Sequence, residues 1–373
     1  MKQARVLVVG AGPAGLATAR ALTAEGFAPQ VVEKNSAWTN AGTGMFLPAN
    51  AFRALRALGL DNAVAAGAFH IPSQRLLDQR GRLLVEIDLA RLWGDVGPCL
   101  GIARAQLHDT LRHGVPVDLG TAVRSLEQRN GEPVLAGFAD GRSSEYDLVV
   151  GADGIHSTVR RLLGDDRPPL SVGQRSWRFL TTCPTDVAVW TVLLGPRCSF
   201  LMVPLGGGLL YCYADVTVGP AADEELGADP RTALQRRFGA FAAPVPAILD
   251  RLTDASGVHV GVIEEVAAPS WGRGSVVLIG DAAHGMSPNM AQGAALAFED
   301  AVVLAECLRG AGSINDGVAA FVARRDERTQ WVRAQTHRRD RTRNLPPFLR
   351  NLTLRHLGTR IITAQHAPLV SEP

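Results

Sequence analysis

Val6-Leu7-Val8-Val9-Gly10-Ala11-Gly12-Pro13-Ala14-Gly15 is the stretch that decides the fold. Its first four residues are β-branched or aliphatic, which suits a strand buried on both faces. The run ends in G-x-G-x-x-G. An Ala- and Leu-rich stretch with helical spacing follows from Leu16 to Glu25 and stops at Gly26. A second apolar strand, Gln30-Val31-Val32, finishes on Glu33. Gly10 permits a tight turn, Gly12 lets backbone approach a pyrophosphate, and Gly15 lets the helix lie close to the strand. The helix N-terminus offers free N–H groups and a positive dipole end to phosphate. Glu33 falls about 20 residues after the loop, where a carboxylate can accept both hydrogens of a ribose diol. This order predicts dinucleotide binding, with a glycine-rich turn in an ordinary βαβ unit as the alternative. FAD and NAD(P) share the fingerprint, so it does not choose between them.

Two later segments repeat the logic of an apolar strand running into a turn. Asp147-Leu148-Val149-Val150-Gly151-Ala152-Asp153-Gly154 is followed by Ile155-His156-Ser157-Thr158-Val159-Arg160. Val276-Val277-Leu278-Ile279 runs into Gly280-Asp281-Ala282-Ala283-His284, with Pro288, Gln292 and Gly293 beyond and a helix predicted from about Ala294 to Leu308. As bare residues, Asp153 and Asp281 could equally cap helices, and Arg160 could sit in a surface ion pair.

Together these motifs resemble the class A flavoprotein monooxygenases, the single-component aromatic hydroxylases typified by p-hydroxybenzoate hydroxylase. Gly10–Gly15, Asp153-Gly154-x-x-Ser157-x-Val159-Arg160 and Gly280-Asp281-Ala282-Ala283-His284 stand in the family's order. Arg104 with Leu107, Leu47-x-x-Asn50 and Glu299-Asp300-Ala301 are smaller matches, and the resemblance runs from residue 4 to roughly 345. It implies an α/β fold: a Rossmann-like FAD-binding domain, an inserted antiparallel β-sheet substrate domain and C-terminal helices. Residues 1–72, 99–170 and 270–320 are expected to form the first, 73–98 and 171–269 the second, and 321–373 the helical segment.

The resemblance implies bound FAD, reduction by NADPH or NADH as a transient visitor, and O2 as co-substrate. A flavin C4a-hydroperoxide would then hydroxylate or epoxidise a small electron-rich substrate, aromatic or polyketide-like, as in natural-product biosynthesis. Asp281 would hold a ribityl hydroxyl, and the helix N-terminus near Asn289 would stabilise charge on the reduced ring. Arg104 would lie along the ribityl–phosphate chain, and Asp153 would support FAD. Ala14, Lys34, Gly44, Val123, Gly280, Gly293 and Ala294 complete the cofactor candidates. One departure stands out: the family's Gly-Gln-Gly is Ala291-Gln292-Gly293 here. The same scaffold also serves non-oxygenating dehydrogenation or cyclisation, or a non-catalytic FAD-containing binding protein. Ala291 is the feature favouring these. Trp177-Arg178-Phe179 does not match the W-x-W-x-I-P of flavin halogenases.

Between the motifs, Leu76–Leu84 reads as a hairpin turning at Gln79–Gly81. Trp177–Thr182, Val187–Leu194, Ser199–Val203 and Leu209–Val216 read as strands, with Gly206-Gly207-Gly208 turning the last pair. Substrate is expected between this sheet and the flavin. Met45, Leu47, Met202, Pro204 and Tyr213 are the lining candidates, and Pro288, Arg178 and Tyr213 the catalytic ones. Alternation separates Tyr211 and Tyr213 from Cys212 without saying which set faces the flavin. His284 is more often structural than proton-transferring in its motif.

Composition narrows the rest. In 373 residues, 38 basic side chains meet 36 acidic ones, leaving +2 and no field to draw nucleic acid. No apolar run reaches the roughly 18 residues that span a bilayer. Five scattered cysteines without C-x-x-C predict reduced thiols, no metal site and a cytoplasmic setting. Met1–Arg5 leads straight into the glycine motif, unlike a signal peptide. Arg324–Arg360 is arginine-dense and broken by Leu345-Pro346-Pro347. It reads as a solvated helical cap, with a basic membrane-surface or nucleic-acid role as the alternative. The partner set is a small-molecule substrate, with the chain a monomer or homodimer.

Overall fold

In the computed structural model, which describes residues 4–38, 43–128, 132–218, 229–253, 255–267 and 271–373, Arg5–Val9 lies inside a six-stranded sheet. Its neighbours are Leu148–Gly151 and Ala28–Glu33, and both pairings are parallel. Val276–Leu278 and Val117–Leu119 extend the sheet in parallel, and Gly272–Arg273 closes one edge antiparallel. The continuous apolar run is explained by cover on both faces. Val6 and Val8 meet the helices Pro13–Ala24 and Gly293–Gly310. Leu7 and Val9 meet a three-stranded antiparallel sheet carrying Val123, Val134 and Phe138.

A second sheet has seven strands, ordered His259–Glu265, Leu170–Thr182, Leu209–Thr217, Cys198–Gly206, Trp190–Gly195, Ser73–Asp78 and Leu83–Asp88. The predicted hairpin is present, with Gly81 N donating to Asp78 O at 2.9 Å. The sheet is not purely antiparallel, because Trp190–Gly195 pairs with Ser73–Asp78 in parallel. These strands come from distant parts of the chain, so no tight turn imposes an antiparallel pairing. The expected boundary at 269–270 lies outside the described residues.

One face of this sheet packs on the helices Pro230–Phe238 and Val245–Asp250 through Trp177, Phe179, Phe200, Met202, Leu210 and Cys212. The other looks toward the first domain through Trp190, Val192, Val203, Leu205, Tyr211 and Tyr213. Two helices, Ile314–Arg343 and Pro347–Val370, then cross both domains. They are the pair predicted around Leu345-Pro346-Pro347. They are more than a solvated cap, since Arg325, Thr329, Val332, Arg350 and Ile362 are buried.

Candidate active site

A cavity of about 380 Å³ opens along the C-terminal ends of the parallel strands, where open α/β sheets bind ligands. Gly10, Gly12 and Ala14 line it at the end of the first strand, and Glu33 and Lys34 at the end of the second. Asp153 follows the Leu148–Gly151 strand, and Asp281, Gly293 and Ala294 come from the last motif. Arg104 and Val123 close the sides. Residues with no motif of their own also line it, Asn35, Thr121 and Ala122, as does Thr158 at a variable position of the Asp153–Arg160 motif. Only proximity to Glu33 could have marked Asn35, and nothing local marks Thr121 or Ala122.

The cradle has the shape a dinucleotide needs. Gly10 turns at φ 105°, and a Cβ there would lie 2.6 Å from Ala152 O. At Gly12 a Cβ would meet nothing within 4 Å, and Gly12 lines the cavity, so a methyl added there takes cavity space instead of touching protein. The helix starting at Pro13 has no side-chain cap, leaving its first N–H groups for a ligand. Both Glu33 oxygens already accept backbone N–H bonds, from Ala11 at 3.1 Å and Asn35 at 3.0 Å, which fixes the carboxylate at the rim.

Three cofactor candidates lie behind the lining. Gly15 is a packing residue: a Cβ would sit 1.9 Å from Gly10 O. Gly280 turns at φ 55° between Ala14 and Ala297, and its N–H donates to Asp300 at 2.9 Å. Gly44 is pressed against Tyr211 and Leu205 of the second sheet. Asp153 does line the cavity, yet its carboxylate caps the next helix, accepting from Ser157 Oγ at 2.5 Å, Thr158 N at 2.7 Å and Val159 N at 3.1 Å. The capping alternative therefore describes its bonds. Arg160 is buried and donates to Ala282 O and Ile155 O.

His284 is structural. It lies 2.7 Å from Asp300, and both are buried. Burial alone would raise the Asp300 carboxyl, but the charges of His284 and Arg325 outweigh it and hold it at about 2. That anion ties the Gly280 turn to the Gly293–Gly310 helix.

The substrate candidates need correction. Met202 belongs to the far face of the second sheet, and Pro204, which pairs with Leu210, shares that side. The two-residue period of the strand puts Val203 and Leu205 on the near face instead. Leu47 is fully buried in the core beneath the first helices. Met45 lines the dinucleotide cavity itself. Tyr213 and Arg178 are register partners, and both point toward the first domain, between Trp177 and Phe179 which point away. The same row of the near face continues through Leu201 and Val192 to Leu76. Phe46 reaches the neighbouring row and stacks on Trp190, with centroids 4.2 Å apart.

Tyr213 is buried, and among the described residues its hydroxyl finds no hydrogen-bond partner; the same holds for Trp190 Nε1. Burial pushes both near-face phenols up, Tyr211 to about 12 and Tyr213 well above its ordinary value, so they are neutral donors at pH 7. The exposed Pro288 opens a short turn, Pro288–Met290, whose next residue, Ala291, is left-handed at φ 53°. The sequence reading missed the side chains that hold this turn. Arg339 donates to Asn289 O at 2.9 Å, and Asp340 accepts from Asn289 and, at 2.7 Å, from Gln174.

A two-domain α/β scaffold with a dinucleotide cradle facing the inner side of a substrate sheet defines a flavin-binding oxidoreductase. The family model described as "FAD binding domain" matches residues 3–332, and the chain belongs to that family, in its class A, p-hydroxybenzoate hydroxylase-like branch. Aurachin C monooxygenase/isomerase of Stigmatella aurantiaca is 34% identical over 340 residues, 89% of this chain and 88% of that protein. The 2-heptyl-3-hydroxy-4(1H)-quinolone synthase of Pseudomonas aeruginosa is 33% identical, with 89% and 87% covered. Klebsiella pneumoniae HpxO, solved with FAD and uric acid, superposes with TM-score 0.90 at 26% identity, covering 99% of this chain and 97% of that one. The protein is an FAD-dependent monooxygenase that uses NAD(P)H and O2. No helix among the described residues is long and apolar enough to cross a membrane.

Proposed function

We propose that this monooxygenase hydroxylates a nitrogen-containing bicyclic arene that carries a ring carbonyl or ring hydroxyl and an apolar substituent. The observation that carries this reading is the row Arg178–Tyr213–Leu201–Val192–Leu76 on the near face of the second sheet. One end offers a cation and an unpartnered phenol, and the other is aliphatic. A buried hydroxyl without a partner is costly unless a ligand supplies one. The relatives agree in chemistry: one is named for an alkylated 4(1H)-quinolone, and HpxO was solved with uric acid. A role in natural-product formation is consistent with the relative named for aurachin C.

On this reading the FAD diphosphate lies at the N-terminus of the Pro13–Ala24 helix, with Gly10, Gly12, Ala14 and Arg104 around it. Glu33, with Lys34 beside it, meets a ribose. Asp281, Gly293 and Ala294 hold the ribityl–ring end, flanked by Val123, Asp153 and Met45. Bound FAD supplies the activation of O2 once NAD(P)H has reduced it. The chain's own residues orient and protect. Arg178 holds an anionic or carbonyl oxygen of the substrate, and the Tyr213 hydroxyl donates to it. The apolar row and the Phe46–Trp190 stack exclude water. Pro288 and the helix N-terminus beyond it border the reacting ring. We further propose a cytoplasmic protein working as a monomer or homodimer; five unpaired cysteines support the cytoplasmic setting.

Anaerobic visible spectra before and after NADPH, then NADH, test the reading. A yellow protein should bleach, and 4-quinolones with an alkyl chain should accelerate bleaching more than hydroxybenzoates do. Bleaching that no bicyclic arene accelerates, or product without oxygen from 18O2, would overturn it.

A further inference from the structure

The turn that borders the flavin end of the cavity is strained in this chain. Ala291 sits at φ 53°, ψ 32°, a left-handed conformation that an L side chain resists. Something must hold it. The residue after it, Gln292, is buried, and its Oε1 accepts from Asn50 Nδ2 at 2.9 Å. The second hydrogen of the same amide reaches Glu299 Oε1, also at 2.9 Å, so both donors of Asn50 are spent.

Glu299 is itself fixed. Burial alone would raise its carboxyl, but Arg325 and Arg328 outweigh that and hold it below its ordinary value. Arg325 NH1 donates at 2.9 Å, and Arg328 donates through Nε and NH2 at 2.9 and 2.8 Å. Both arginines come from the Ile314–Arg343 helix. Arg328 also binds the carbonyls of Pro368 and Leu369 at the end of the last helix. A continuous set of polar bonds therefore runs from the C-terminal helices through Glu299 and Asn50 to the side chain of Gln292, the residue next to Ala291.

We propose that Asn50 is a positioning residue whose amide pins Gln292, and through it the left-handed Ala291, in the conformation that lets Gly293 and Ala294 meet FAD. It touches neither substrate nor cofactor. The inference rests on the assignment of this end of the cavity to FAD. The pin matters because residue 291 is alanine; a glycine there would hold the same conformation without strain.

The test is FAD affinity, read by flavin fluorescence on titrating deflavinated protein, together with thermal melting of the same samples. Asn50→Leu should raise the FAD dissociation constant at least ten-fold in the natural background. Placed in Ala291→Gly, it should raise it less than three-fold. An equal loss in both backgrounds, or a lowered melting temperature with unchanged affinity, would overturn the proposal. Should Asn50→Leu fail to fold, Gln292→Met removes the same bond from the loop side and is read by the same comparison. Gly12→Val serves as the control for the FAD assignment: if it leaves affinity intact, the assignment of the cavity fails, separately from the role of Asn50.

Discussion

The Arg343 guanidinium and the Asp215 carboxylate form a bidentate, buried ion pair that bolts the Ile314–Arg343 helix to the near face of the second sheet. Asp215 Oδ1 also accepts from Ser199 Oγ at 2.6 Å and Ser199 N at 3.1 Å, so both carboxylate oxygens have partners. Removing one partner strands a buried charge, which costs about 3–5 kcal/mol. Asp215→Asn should lose that much in urea unfolding. The double change Asp215→Leu with Arg343→Met should recover most of it, since neither charge is then left unpaired.

Gly12 and Gly15 separate binding from folding. Gly12→Val adds a side chain whose Cβ has no protein atom within 4 Å, so stability should change by about 1 kcal/mol or less while FAD titration shows binding lost. Gly15→Ala drives a methyl into the Gly10 carbonyl. Its cost should be about 3 kcal/mol by denaturant melting, in the range of overpacked interiors, with weakened FAD binding a consequence of the displaced helix.

Tyr213→Phe removes a buried hydroxyl that has no partner among the described residues. The substrate-free protein should gain about 1 kcal/mol, because an unsatisfied polar group is taken out of the interior. Steady-state kinetics should show KM for a ring-carbonyl substrate rising several-fold. A loss of stability on this change would mean that the hydroxyl has a partner.

His366 is buried beside Trp93, and burial, then the charge of Arg339, pushes its pKa down to about 3. The unfolded value is near 6.5, so the unfolded chain takes up a proton first as pH falls. The contribution is therefore whole above about pH 6.5 and is lost progressively toward pH 3. The slope approaches about 1.4 kcal/mol per pH unit for one proton. His366→Gln should flatten urea-measured stability between pH 6.5 and 5 relative to the natural chain.

How much of this was legible in the sequence differs from place to place. The first strand, glycine loop and Glu33 were readable because they are contiguous and each residue type has one stereochemical use. Arg104 and Asp281, far apart in the chain, were found only through the family motifs. Met202 and Tyr213 show where reading stops. Both were named as lining, yet they sit on opposite faces of one sheet, because a period of two gives two faces without saying which is covered by what.

The amino-acid order alone determined the first strand, the glycine loop with Glu33 and the two helices broken at Pro346-Pro347, since these follow from local sterics, hydrophobic spacing and backbone hydrogen bonding. Tertiary structure decided which carboxylates are spent on caps, as Asp153 is, and which face of the sheet looks at the cofactor. It also brought Asn50, Gln292 and Glu299 together with Arg325 and Arg328, residues as much as 278 positions apart in number. Buried polar groups must find partners wherever the packed chain puts them, and that requirement acts across space with no trace in local sequence.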